Sequence, residues 1–206
     1  GDVSSYKSDQ TLVSFLGRIN YAFANRYNAT LSFRRDGSSK FGANNKWANF
    51  PSASVAWKIS EEDFLKGNKY INDLKLRAGF GITGNQQGLG PLNSVRLVGP
   101  AGTTFFGGAV IPNYAITQNA NPDLRWETRQ MFNVGLDFAI LNNRLSGTIE
   151  YFNGDTKDLL FGYGVPTPPF PYNSILANVG TINNQGIELS LNYKAYTSRD
   201  WDVVLA

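Results

Sequence analysis

The 206-residue chain contains no histidine and no cysteine. Lack of histidine removes His-based nucleophilic triads and the commonest zinc ligand. Lack of cysteine removes any disulfide framework but leaves the redox compartment open, since a secreted protein need not carry disulfides. Charge is sparse as well: Asp, Glu, Lys and Arg make up 17% of the chain, with a net charge of +3 and a pI near 9.1. No Lys/Arg run occurs, so nucleic acid is not an indicated partner. No uninterrupted apolar run reaches the roughly 18–20 residues of a membrane helix. The start at Gly1-Asp2-Val3 has no signal-peptide layout and reads as a cut end. Mean hydropathy of −0.27 looks like that of a soluble chain, yet strict polar/apolar alternation lowers the average of a barrel strand in the same way.

What the chain does have is β-forming material. It carries 14 Phe, 10 Tyr and 4 Trp together with 21 Gly, a mix that favours an all-β protein rich in turns. The clearest stretch opens at Asn121-Pro122-Asp123-Leu124-Arg125-Trp126-Glu127. From there one face reads Trp126, Thr128, Gln130, Phe132, Val134, Leu136, Phe138 and Ile140. The other reads Arg125, Glu127, Arg129, Met131, Asn133, Gly135, Asp137 and Ala139. Successive strand side chains point to opposite faces, so this predicts one apolar and one polar face. After Leu141-Asn142-Asn143-Arg144 the alternation restarts with Leu145, Gly147, Ile149 and Tyr151. Asparagine tolerates the positive φ of a tight hairpin turn. Strands this long, joined this tightly, exceed the usual five or six residues of a globular sheet and suit a transmembrane barrel.

Further strands are predicted on either side. Val13 to Phe23 alternates, turns at Ala24-Asn25-Arg26, and continues from Tyr27 to Arg34. Asp36 to Asn49 is a polar loop, followed by a strand over Ala53, Val55, Trp57 and Ile59. Ser60-Glu61-Glu62-Asp63 has the form of a capping box for a short helical turn ended by Gly67. A strand over Leu74 to Ile82 precedes a loop from Gly84 to about Ala120. The central hairpin leads into a second long loop, about Asp155 to Asn184, stiffened by Pro166, Pro168, Pro169 and Pro171. Ile187 to Tyr193 forms a seventh strand and Trp201 begins an eighth, which is cut off at Ala206. Connections thus alternate between short and long, as in an outer-membrane barrel. Tyr21, Phe23, Tyr27, Trp57, Phe138, Tyr193, Tyr196 and Trp201 gather at the short-turn ends, where a membrane-interface girdle would lie.

The chemistry-bearing candidates are few. Gly79 to Gly84 matches GxGxxG, but Asn85-Gln86-Gln87-Gly88-Leu89-Gly90-Pro91 follows instead of the helix a pyrophosphate needs. These glycines are expected to leave room for bulky neighbours or a plug. Arg125, Glu127, Arg129, Asp137, Glu150 and Glu188 are expected to face a polar lumen as a network of charges. They have no nucleophile–base pair beside them, so no catalytic role is assigned. No calcium-loop spacing occurs and no cofactor is indicated. Phe105, Phe106, Tyr114, Phe161, Tyr163, Phe170 and Tyr172 lie in the long loops. They could stack on sugars or anchor a partner, or pack loop on loop, and both readings stand.

Several of these stretches together carry a family resemblance. The run from Asn121 to Thr128, Asn133-Val134-Gly135-Leu136-Asp137-Phe138 and Leu141 to Gly147 resemble SusC/RagA-type TonB-linked outer-membrane transporters. So do Ser32 to Gly42, Phe50 to Trp57, Gly81 to Gln86, and Asn178-Val179-Gly180 with Asn184 to Leu189. The resemblance implies an all-β antiparallel meander of about eight strands, residues 1–206 forming one segment of a large transmembrane barrel. The plug domain and remaining strands would lie elsewhere. It also implies a location in the cell outer membrane of a Bacteroidetes-like bacterium, with long loops extracellular and short turns periplasmic. Implied partners are a SusD-like surface lipoprotein, the TonB complex acting through the plug, outer-membrane lipid, and a glycan or peptide substrate. A soluble extracellular β-sandwich that binds carbohydrate is the alternative. The two differ in whether lipid or a second sheet of the same chain covers Val134, Leu136 and Phe138.

Overall fold

The computed structural model describes residues 5, 7–197 and 202–205. The strands, in chain order, are β1 (Leu12–Phe23), β2 (Tyr27–Ser38), β3 (Trp47–Lys58), β4 (Ile71–Asn85), β5 (Leu97–Phe106) and β6 (Ala109–Gln118). They continue with β7 (Glu127–Ile140), β8 (Leu145–Lys157), β9 (Leu160–Gly164), β10 (Ser174–Asn178), β11 (Thr181–Thr197) and β12 (Asp202–Leu205). Eight of them form one antiparallel sheet in the order β1-β2-β3-β4-β7-β8-β11-β12. The hairpins β5–β6 and β9–β10 are separate two-stranded sheets inserted at the same end of it, within the β4–β7 and β8–β11 connections.

Local sequence explains the tight turns. Ala24 and Asn25 take φ of 51° and 54°, and Leu141, Asn142 and Asn143 take 56°, 58° and 61°. Asparagine visits this left-handed region at low cost. Leu141 does so with its N–H donating to the Tyr70 carbonyl at 2.9 Å, a bond between two turns at one end of the sheet.

Register sorts the side chains. Partners across an antiparallel ladder share a face. Gly17 pairs Phe33, Phe33 pairs Pro51, Ala53 pairs Phe80, and Phe80 pairs Phe132. Leu76 pairs Leu136, Leu136 pairs Ile149, and Ile149 pairs Leu189. An apolar face therefore runs unbroken from β1 to β11. Much of it is bare: Phe15, Ile19, Val55, Ile187 and Leu189 are each more than half exposed. The opposite face carries Arg18, Ser32, Ser52, Arg77, Asp137, Glu150 and Glu188 by the same register. No helix among the described residues is long and apolar enough to cross a membrane, which has no bearing on strands.

The strands run further than alternation alone predicts, and the long connections are more ordered. The expected loop from Asp36 shrinks to residues 39–46, because β2 continues to Ser38 and β3 starts at Trp47. Asp36 and Ser38 are buried there, and Ser38 Oγ donates to Gln86 Oε1 at 2.8 Å. The loop from Gly84 to Ala120 contains β5 and β6, and β4 itself extends to Asn85. The loop from Asp155 to Asn184 contains β9 and β10, with β11 beginning at Thr181. Glycines and prolines in these segments mask their strand character, which backbone pairing supplies. The capping box does not form: Ile59–Glu61 is a single 3₁₀ turn with no side-chain cap, and Glu62 is engaged elsewhere. The connection of residues 59–70 is longer than that of 39–46, so short and long do not alternate strictly.

Trp126 is not the first member of the apolar face. It is 5% exposed and lies, with Phe41, Phe50, Leu89 and Leu124, in the one hydrophobic core cluster of the described residues. The β-sandwich alternative also fails: the two further sheets are small loop hairpins, and on the apolar face Phe132 is 45% exposed while Val134, Leu136 and Phe138 are half-buried with no second large sheet among the described residues to cover them. The expected girdle residue Trp201 lies outside the described residues.

Candidate functional site

Three zones follow from this arrangement, the first being the polar face. Arg77, Gly135, Glu150 and Glu188 stand in one row across β4, β7, β8 and β11. Gly135 has no side chain to fill the row, and a Cβ there would press on Arg77 Nη2 at 2.9 Å and Glu150 Oε2 at 3.3 Å. Across that gap Arg77 Nη2 donates to Glu150 Oε2 at 3.2 Å. The same guanidinium grips Asp137 twice, Nε to Oδ2 at 2.8 Å and Nη2 to Oδ1 at 2.9 Å. Thr148 Oγ1 donates to Asp137, and Asn133 Nδ2 to Glu150. Lys75 Nζ stands 3.8 Å from Asp137. Fork-to-carboxylate pairing of this kind is geometrically specific. Its members are partly open to solvent, with Arg77 30% and Asp137 28% exposed.

Of the charges singled out in the sequence, Asp137 and Glu150 enter this network, while Glu188 sits opposite Glu150 and is exposed. Arg129 belongs to the polar face near Gly154. Glu127 lies at the start of β7 and accepts from Asn85 Nδ2 at 3.0 Å. Arg125 precedes the strand and pairs with Asp158 at 2.7 Å. The hub of the network, Arg77, was legible only as one more polar residue of the alternating fourth strand, because register decides which carboxylates it meets.

The second zone is the base of the long connections. The Asn121 to Glu127 run fastens all three of them together. Gly42 N–H donates to the Leu124 carbonyl at 2.9 Å and Asn44 N–H to the Pro122 carbonyl at 3.2 Å. A Cβ on Gly42 would overlap the Pro122 carbonyl, so only glycine admits this approach. Asn121 Nδ2 donates to the Leu176 carbonyl, and Asn178 Nδ2 to the carbonyls of Arg125 and Asp158. Asn178 Oδ1 in turn accepts from Arg125 N–H at 2.8 Å. Beneath these bonds Trp126 packs on Phe41, ring centroids 4.5 Å apart, and edge-on to Phe50 at 5.5 Å. Gly84 leaves the space that Phe50 fills, which is the structural role of the last GxGxxG glycine. Asn119 joins the two hairpins: its Nδ2 donates to the carbonyls of Tyr172 and Ser174, and its Oδ1 accepts from Tyr172 N–H. Nothing in the sequence marks Asn119 as different from other loop asparagines, whereas Asn178 opens one of the stretches that carry the family resemblance.

The third zone consists of the loop aromatics. Phe105 and Phe106 cap the β5–β6 hairpin at 72% and 75% exposure. Tyr114 on β6 and Phe161 on β9 are also mostly exposed, and Tyr163, Phe170 and Tyr172 are partly so. Loop-on-loop packing therefore does not account for the first four. Residues 97–118 include no Asp, Glu, Lys or Arg, so the projecting hairpin is wholly uncharged.

At the opposite end Glu62 gathers the short connections. Its Oε1 accepts from Tyr27 Oη at 2.6 Å and Trp57 Nε1 at 2.9 Å, and its Oε2 from Arg26 Nη1 at 2.8 Å. The hydrogen bond from Tyr27, then that from Trp57, and the Arg26 guanidinium hold the Glu62 carboxyl below its ordinary range. The rings of Phe23, Tyr27 and Trp57 stack in succession here, with centroid spacings of 6.4 Å. Among the described residues no group of three or more acidic, Cys or His side chains is placed to hold a metal.

Comparison with known proteins assigns this geometry to a family. A family model described as "TonB dependent receptor-like, beta-barrel" matches residues 1–206. The TonB-dependent receptor SusC of Bacteroides thetaiotaomicron is 38% identical over 211 residues, covering 97% of this chain and 20% of the relative. The TonB-dependent receptor P39 of Formosa agariphila is 41% identical over 184 residues, covering 89% and 17%. Among solved structures, the RagAB peptide transporter superposes with a TM-score of 0.83 at 33% identity, covering 95% of this chain and 21% of that one. The chain thus spans about a fifth of the length of these relatives. They are receptors and transporters, not enzymes.

Proposed function

This chain belongs to the TonB-dependent receptor β-barrel family, and on that premise we propose that it forms part of the wall and outer loops of an outer-membrane importer. The observation that carries the reading is the segregation of the sheet. One face is apolar across β1 to β11 and much of it is bare, while the other holds the Arg77–Asp137–Glu150 network. Facing lipid, the first stabilises the wall; facing a wet lumen, the second stays solvated. Strands β1 and β12 each pair on one side only. An unpaired edge is not tolerated in hydrocarbon, so further strands complete the barrel.

The cargo is a bulky nutrient, a glycan or a peptide, drawn inward through the TonB complex acting on the plug. The uncharged β5–β6 hairpin with Phe105, Phe106 and Tyr114, and the β9–β10 hairpin with Phe161, Tyr163, Phe170 and Tyr172, contact that cargo or a SusD-like lipoprotein seated above them. Aromatic faces and an uncharged backbone suit sugar rings and peptide main chain alike. The RagAB relative is named a peptide transporter, which supports the peptide arm. Arg125, Glu127, Arg129, Asp137, Glu150 and Glu188 line the passage or its outer mouth. The long connections are extracellular and the short turns periplasmic.

Limited proteolysis of intact cells tests the orientation. Cleavage within residues 97–118 and 160–178 is expected without opening the outer membrane. Cleavage confined to residues 59–70 under the same conditions would reverse the assignment.

A further inference from the structure

The short-turn end of the sheet carries a feature that the import reading does not use. A cavity of about 530 Å³ is lined by Lys69, Tyr70, Leu141, Asn142, Arg144 and Tyr193. Its frame is built from two connections, residues 59–70 and 141–144, and from the ends of β4 and β11 beside them. Leu141 N–H donates to the Tyr70 carbonyl at 2.9 Å, Asn143 N–H to Asn72 Oδ1 at 3.1 Å, and Lys194 N–H to the Arg144 carbonyl at 2.8 Å. The left-handed run Leu141-Asn142-Asn143 is held in place by two of those bonds. No carboxylate lines the cavity, and neither Lys69 nor Arg144 has an ion-pair partner among the described residues. Two cations thus share one hollow with two tyrosines and a leucine.

The hollow also lies at a boundary. Tyr193 lies near the end of the apolar face on β11, following Ile187, Leu189 and Leu191 and followed past a bulge by Tyr196 opposite Val203, and it pairs Leu145 across the ladder. Leu145 pairs Ile140, and Ile140 pairs Ile71, which directly follows Tyr70. Tyr70 and Leu141 are themselves exposed, at 72% and 48%. Cations beside aromatic rings at the rim of an apolar band match the layered chemistry of a phospholipid: phosphate outside, glycerol backbone next, acyl chain inward.

We propose that the hollow formed by Lys69, Tyr70, Leu141, Arg144 and Tyr193 is a seat for the phosphate headgroup of a phospholipid in the periplasmic leaflet. The seat rests on the apolar face being turned to lipid, as proposed above. Lys69 and Arg144 take the phosphate by charge-assisted bonds, the two tyrosines flank the glycerol region, and the acyl chains run along Leu191 and Leu189. Its effect is to fix the height of the wall in the membrane at this corner.

The test uses the full-length transporter, purified in mild detergent with added phosphatidylglycerol and examined by native mass spectrometry. The Lys69→Gln/Arg144→Gln pair is expected to lower lipid retention roughly thirty-fold, at about one kcal/mol per cation. The charge-conserving Lys69→Arg/Arg144→Lys pair is expected to retain it. Equal retention in the neutralised and original proteins would overturn the proposal. So would displacement by glycerophosphoglycerol, which lacks acyl chains, at the same concentration as the lipid, since a soluble phosphate compound would then be the ligand. A nitroxide on Leu189→Cys in bilayers separates the two readings. A label relaxed by lipid-dissolved oxygen, with retention unchanged in the neutralised pair, sinks the seat alone. A label reached by a water-soluble relaxation agent instead sinks the lipid-facing wall and the seat with it.

Discussion

Two regions of this chain collect hydrophobic side chains, and they do it in opposite ways. At the base of the long connections, Phe41 and Leu124 are 1% and 0% exposed, and Trp126 is sealed between Phe41 and Phe50. On the sheet, Ile187 and Leu189 are 75% and 63% exposed, and their ladder partners Tyr151 and Ile149 are exposed too. The first region is a small core of the kind any water-soluble domain builds, with backbone and asparagine bonds closing over it. The second has no core at all, and on the proposed wall its apolar surface is matched by another solvent. Identical residue types would then stabilise the protein by leaving water in one place and by entering hydrocarbon in the other.

Several substitutions would break or sharpen that contrast. The largest effect is expected at the loop base. Phe41→Ala empties the centre of the buried cluster and should cost about 3–5 kcal/mol locally, read as faster hydrogen exchange at Gly42, Asn44 and Leu124. Phe132→Ala on the apolar face leaves no cavity and should cost far less in a bilayer; equal losses would erase the distinction. Next comes Leu189→Arg, which should lower unfolding stability in lipid vesicles by ~2–4 kcal/mol if the site lies near the membrane midplane. The same change should be nearly neutral if that face meets water.

On the polar face, Asp137→Ala removes both anchors of the Arg77 fork and should cost about 1–2 kcal/mol, since the pair is partly solvated. Denaturant midpoints of the full-length protein in lipid would show it, and little change in Glu150→Ala would identify Asp137 as the dominant partner. The smallest effect concerns pH. Because the folded Glu62 carboxyl is held below its ordinary range, its contribution is fully present above the unfolded carboxylate value and fades as pH falls through the folded one. Trp57 fluorescence should therefore change at acid pH and lose that dependence in Glu62→Gln.

Much of the fold was legible as text. Alternation from Phe132 to Phe138 assigned the faces of β7, and Asn142-Asn143 marked its turn, because both depend on near neighbours only. The loop hairpins were not legible, since glycine and proline in residues 97–118 and 160–178 hide a pairing that only partner strands create. Trp126 was misplaced for a related reason. Alternation continues through it in the sequence, but β7 begins one residue later and the ring turns toward Phe41. The loop aromatics were legible as residues, while their exposure was not.

The sequence by itself determined that this protein is a long-stranded antiparallel sheet with one apolar and one polar face, and the family to which such a sheet belongs. The strands and faces follow from a two-residue period and short turn signals, which act over a few positions, and the family from the resemblance carried by runs such as Asn121 to Thr128. Only the tertiary structure decided which charges meet across the strands, how the Asn121 to Glu127 run binds three connections into one base, and where two cations share a hollow. Contacts between residues dozens of positions apart are set by register and by the space that Gly42, Gly84 and Gly135 leave open, and no local pattern records either.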